Sequence, residues 1–226
     1  MSAAVGSRPS LYSTSVGKKY AMAISGMVLM AFVLLHMIGN LKLYFGAASL
    51  DRYSHWLRTV GEPALPEQWL LFAVRFVLVV ALVIHVHAAY ELTKVNRRAR
   101  PDAYRSKRDY VAADFASRTM RWTGVIVLLF VVFHLLDLTW GPANPDFVNG
   151  DPYHNVIESF QRAPVALVYV LANLALGVHL YHGGWSMFQS MGWVTSWRRT
   201  FAVLFAAVIV LGNVSFPLAV LFGAVS

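Results

Sequence analysis

The 226-residue sequence contains no cysteine. Its absence excludes disulfides, zinc–thiolate centres and cysteine-ligated iron–sulfur clusters from the chain. Charge is scarce as well. Only 13% of residues are Asp, Glu, Lys or Arg, about half of the ~25% usual in a soluble chain. Acidic residues number just 11, so carboxylate-rich metal sites have little to draw on. What is abundant is apolar: 58% of the residues, with a mean hydropathy of +0.54. One small soluble core cannot hide that much apolar surface. The composition therefore predicts an all-α integral membrane bundle. The net charge of +8 does not signal nucleic acid, because its distribution has a simpler reading.

Five apolar runs are long enough to cross ~30 Å of hydrocarbon as helices: 20–45, 69–92, 122–140, 164–188 and 201–222. The first is too long for the core of a cleaved leader, so it reads as a retained span. Barrel strands would alternate apolar and polar positions, and these runs do not. No internal repeat or low-complexity stretch stands out, and residues 1–226 read as one membrane domain. Of the nineteen basic residues, fourteen fall before the first run, between the second and third, or between the fourth and fifth. The positive-inside rule then puts the N-terminus in the cytoplasm and the C-terminus outside. The outer segments 46–67 and 141–162 read as loops, with short interfacial helices as the other possibility. Trp69, Trp122, Trp140, Trp193 and Trp197 fall near span ends, as interfacial aromatics do.

The chemical signal is histidine. Six of eight lie within the spans: His36, His85, His87, His134, His179 and His182. Ionisable groups inside a bilayer are costly and point to function. At 1.5 Å per residue, His36 lies ~24 Å and His134 ~20 Å from the inner side, whereas His85 lies ~14 Å and His179 ~15 Å from it. Four helices thus offer two pairs of imidazoles at two depths, which is what two stacked bis-histidine b haems require. With both axial positions closed, such haems favour electron transfer over oxygen binding. A di-iron site would need Glu-x-x-His spacing, and zinc would need three or four ligands at one level. His85 and His87 are ~200° apart and cannot both face one haem. His182 shares a face with His179 and could bond a haem propionate or serve as a packing residue.

Four stretches carry a family resemblance: S-G followed by H-M-I-G-N (Ser25, Gly26, His36 to Asn40); L-T-x-x-N-x-x-A-R-P (Leu92 to Pro101); T-G followed by F-H-L-L (Thr123, Gly124, Phe133 to Leu136); and H-L-Y-H-G-G-W-S-M-F-Q (His179 to Gln189). Over helices one to four the chain resembles the five-helix, two-haem cytochrome b membrane anchors of type B succinate:quinone oxidoreductases. That resemblance makes His179 a ligand. It selects His85 by its distance from Leu92, while an H-A-x-Y alignment would select His87. It implies a flavoprotein subunit carrying FAD and an iron–sulfur subunit on the cytoplasmic face of a bacterial cell membrane. Electrons from succinate would pass through their clusters and two b haems to a membrane quinone, with menaquinone the expected one; fumarate reduction would reverse the flow. Asp137, Asn40, Arg75 and Glu91 are the candidates for quinone contact, each with a structural alternative: Asp137 at the interface, Glu91 paired with Lys94, Arg75 snorkelling or on a propionate. Two other functions compete: a di-haem anchor of a hydrogenase or formate dehydrogenase, and a haem-free transporter using histidines as a proton path.

Overall fold

The computed structural model describes residues 11–99, 111–193 and 195–226, with 111–118 described by backbone only. Among them every regular element is helical, and five helices are long and apolar enough to cross a membrane. The all-α membrane bundle expected from composition is the fold found.

α1 (Ser15–Asn40) starts five residues before the apolar run, because the Thr14 side chain caps it by accepting from the Gly17 amide at 3.0 Å. A 3-10 turn, Leu41–Phe45, extends it, and Gly46 at φ +82° breaks the helical path. α2 (Ala47–Thr59) follows. α3 (Trp69–Arg98) runs six residues past the predicted end of its span. There Glu91 and Lys94 pair at 3.0 Å, and Arg97 and Arg98 complement the helix dipole. α4 is Val111–Leu138, and Gly141 at φ +92° lies just beyond it. α5 (Pro152–Gln161) opens with Pro at its first turn and Asp151 capping the His154 amide at 3.0 Å. α6 is Ala163–Ser190 and α7 is Arg198–Leu221.

Two readings are corrected here. The segments 46–67 and 141–162 are not plain loops, since each holds an α-helix. The chain also has an internal repeat. Met22, Ser25, Gly26, Phe32 and His36 on α1 recur as Met120, Thr123, Gly124, Phe130 and His134 on α4, each 98 residues later. Counting Val33 with Val131, five positions are identical and Ser25–Thr123 is conservative, too few for hydropathy to reveal.

α1, α6 and α7 form the centre of the bundle. Gly177 on α6 leaves room for Val210 on α7, so those two helices pack most closely. α3 is held on one flank by α1, and α4 on the other by α6. Only 6% of the apolar window of α3 or of α4 is buried, against 33% for α6. The flanking helices thus keep most of their surface for lipid, ligands or partners. α2 and α5 lie together across the end remote from the chain's N-terminus, where Leu50, Ile157, Phe160, Tyr169 and Phe216 build the core. We call this the far end and the other, carrying Lys18, Lys94, Arg97, Arg98, Arg198 and Arg199, the basic end. Arg8, Arg100, Arg105, Lys107 and Arg108 lie outside the described residues.

Candidate histidine couples and their surroundings

The helices bring four histidines together two by two. His85 on α3 and His179 on α6 have ring centres 6.3 Å apart. His36 on α1 and His134 on α4 have ring centres 5.9 Å apart. Gly26 faces His85, and Gly124 faces His179; each glycine lies ten residues before the far histidine of its own helix. Ten residues place the couples about 15 Å apart along the bundle.

The rings are fixed from the side away from their partners. His85 Nδ1 lies 3.1 Å from the Met22 carbonyl oxygen. A carbonyl only accepts, so Nδ1 carries the proton and Nε2 presents its lone pair. Ser25 Oγ is 3.4 Å from the same nitrogen and gives its own proton to the Ala21 carbonyl at 2.7 Å. The repeat reproduces this on α4. Thr123 Oγ1 lies 3.4 Å from His179 Nδ1 and donates to the Thr119 carbonyl at 2.8 Å. A Cβ on Gly26 would come within 3.2 Å of His85 Cε1, and one on Gly124 within 3.4 Å of His179 Cε1. Glycine at these places seats the imidazoles against the neighbouring helix.

The far couple is held differently. His36 stacks on Phe32 at 5.3 Å, and Phe130 tilts against His134 at 6.0 Å. His134 Nδ1 is 3.4 Å from the Tyr169 hydroxyl, which donates at 2.9 Å to Asp137 Oδ2. Asp137 is fully buried. Arg162 Nη2 reaches its other oxygen at 2.7 Å, and Ser159 Oγ donates to Oδ2 as well. Desolvated charges of this kind persist only when paired and hydrogen-bonded, and Asp137 is both. Tyr169, Ser159 and Arg162 were not legible as site residues. They lie 22 to 32 positions from Asp137, and no spacing rule links them.

The remaining candidates take other positions. The exposed His87 turns toward the N-terminal segment, where Tyr12 Oη lies 2.6 Å from its Nδ1 and stacks on its ring. His182 is buried one turn from His179 toward the basic end. Glu91 pairs with Lys94 at 3.0 Å and Lys18 at 3.1 Å, tying α3 to α1 at the basic end. Arg75 is exposed on α3 with its guanidinium over Phe72, and Asn40 closes α1 half-buried. Asp137, placed among the quinone candidates, is enclosed by its own ion pair.

Two imidazoles binding one metal through Nε2 from opposite sides, at about 2.0 Å each, have ring centres about 6.3 Å apart. The observed separations agree. Neither α1 with α4 nor α3 with α6 is a closely packed helix pair, so the rings meet across open space rather than a tight interface. None of the four rings is fully buried. Among the described residues no three His, Asp or Glu side chains converge as a metal cluster. The donor set thus fits haem at two levels and does not fit a zinc or di-iron centre.

Fold and site together define a five-helix membrane subunit with two tiers of paired imidazoles. The chain belongs to the succinate dehydrogenase/fumarate reductase transmembrane subunit family, whose model matches residues 94–214, just over half of it. The match spans α4, α5, α6 and most of α7, with His134, Asp137, Tyr169, His179 and His182. No curated protein and no solved structure matches the chain. Membership makes it a membrane subunit of an enzyme complex of the succinate dehydrogenase/fumarate reductase type, and removes the ground for a hydrogenase or formate dehydrogenase anchor.

Proposed function

We propose that the chain is the cytochrome b anchor of a succinate:quinone oxidoreductase and holds two b haems. His85 and His179 would hold one near the basic end, and His36 and His134 the other near the far end. The observation that carries this is the two ring couples at 6.3 and 5.9 Å across loosely packed helix pairs. Haem so bound supplies one-electron transfer between the soluble subunits and a membrane quinone.

The chain's own residues set the conditions. The Met22 carbonyl with Ser25, and Thr123 on the opposite side, hold Nδ1 of the basic-end ligands and leave Nε2 for iron. His85 rather than His87 is the ligand from α3, because His87 is engaged by Tyr12. The basic end is the cytoplasmic face, by the distribution of Lys and Arg, and offers the surface for a flavoprotein and an iron–sulfur subunit. The far end is then the quinone side, with menaquinone as the acceptor and a bacterial cell membrane as the setting. Of the sequence candidates, Asn40 and Arg75 remain there for quinone contact, since Asp137 is occupied by Arg162, Ser159 and Tyr169.

A pyridine haemochrome assay with protein quantitation on the complex purified from membranes tests this. Two b haems per chain are expected. A chain that purifies with its soluble partners and no haem would overturn the reading in favour of a haem-free anchor.

A further inference from the structure

We propose that Tyr169 is a positioning residue for the far-end haem: it orients His134 and transmits to that ligand the negative charge of Asp137. The inference rests on the two-haem reading and deepens it. It comes from comparing what stands behind each ligand's Nδ1. At the basic end the hydroxyls of Ser25 and Thr123 pass their protons to backbone carbonyls of their own helices. At the far end the Tyr169 hydroxyl passes its proton to a fully buried carboxylate. Tyr169 must therefore accept at His134, so the chain of donors runs His134 Nδ1–H to Tyr169 Oη–H to Asp137.

Hydrogen bonding toward an anion draws the Nδ1 proton outward and enriches Nε2 in electron density. A richer Nε2 favours ferric over ferrous iron. Arg162 and Ser159 share the carboxylate with Tyr169 and temper the effect. Among the described residues, the titratable groups facing His134 are Tyr169 and Asp137 behind its Nδ1 and His36 across the couple, with Arg162 one step removed on the carboxylate. The tyrosine ring is clamped edge-on by Phe130 at 5.0 Å and Phe160 at 4.7 Å, which fixes the hydroxyl between His134 and Asp137.

The test is an optical redox titration of the intact complex, with haem content measured alongside. Tyr169→Phe should keep both haems and raise the potential of one. The ferrous-to-ferric ratio there should rise roughly tenfold, equivalent to ~59 mV for one electron, with the other haem unmoved. Ser159→Ala should move the same haem downward, because Oδ2 then serves Tyr169 alone. Tyr44→Phe removes an exposed far-end hydroxyl that bonds only Ser215 and should move neither. Two haems with unchanged potentials in Tyr169→Phe would overturn the inference, as would all three variants shifting alike. Should Tyr169→Phe shed haem, Ser159→Ala decides: a downward shift supports the inference, and no shift overturns it. Absence of b-type haem from the unaltered complex would instead remove the two-haem reading, and this inference with it.

Discussion

The two histidine couples lie at two levels of one bundle and are built on opposite principles. The basic-end couple is held by backbone. Its rings lie against glycines, and the hydroxyls at their Nδ1 atoms lead only to neutral carbonyls of α1 and α4. The far-end couple is held by side chains. Aromatic rings stack around it, and a buried ion pair stands behind His134. Backbone carbonyls are fixed by helix geometry and are hard to tune by substitution; a tyrosine–carboxylate pair changes with one atom. The α1–α4 repeat sets matching glycines and histidines on two sides of the bundle, and Tyr169 with Asp137 supplies the difference between the two couples.

That comparison can be broken in several places. The largest effect is expected from the ligands themselves. His134→Ala should remove one haem and leave the other, halving the haem-to-protein ratio, and His179→Ala should do the same to the other site. Loss of both haems from either variant would show the couples to be one cooperative unit. Next is the ion pair. Arg162→Met leaves a fully buried carboxylate without its cation, which costs on the order of 3–5 kcal/mol. Thermal melting of the detergent-solubilised complex should show a large drop, with the far-end haem lost first. An unchanged melting temperature would mean that Asp137 has found water or another partner.

Smaller effects sharpen the contrast. Gly26→Val drives a branched side chain against His85, whose Cε1 already stands 3.2 Å from the position of a Cβ. It should perturb the spectrum of the basic-end haem alone. Ser25→Ala should shift that haem's potential less than Tyr169→Phe shifts the other, because only a neutral carbonyl stands behind the serine. His87→Ala should leave haem content unchanged and cost about 1 kcal/mol for the lost Tyr12 hydrogen bond. Loss of a haem from His87→Ala would transfer the ligand role from His85.

Much of this architecture is legible in the sequence. Five apolar runs gave five spanning helices, and counting 1.5 Å per residue from the basic boundaries grouped His36 with His134 and His85 with His179. Both depend on local regularities that hold in lipid as in water. The extra turns at the basic end were missed because hydropathy marks where a helix is apolar, not where it stops. Thr14 as a cap and the Glu91–Lys94 pair carry those helices further. α2 was hidden by a polar composition, although Asp151-Pro152 marks the start of α5 by standard capping chemistry. Asp137 was read as a candidate for quinone contact because depth alone shows an acid near the interface. Its enclosure by Arg162, Ser159 and Tyr169 is a tertiary fact joining three helices, and periodicity carries no trace of it.

The central claim is that each imidazole couple grips a haem. A density map of the complex purified from membranes tests it most directly. The account predicts a flat macrocycle between His85 and His179 and a second between His36 and His134, the two about 15 Å apart along the bundle. Imidazole rings touching each other with nothing between them, or turned outward to lipid, would contradict it.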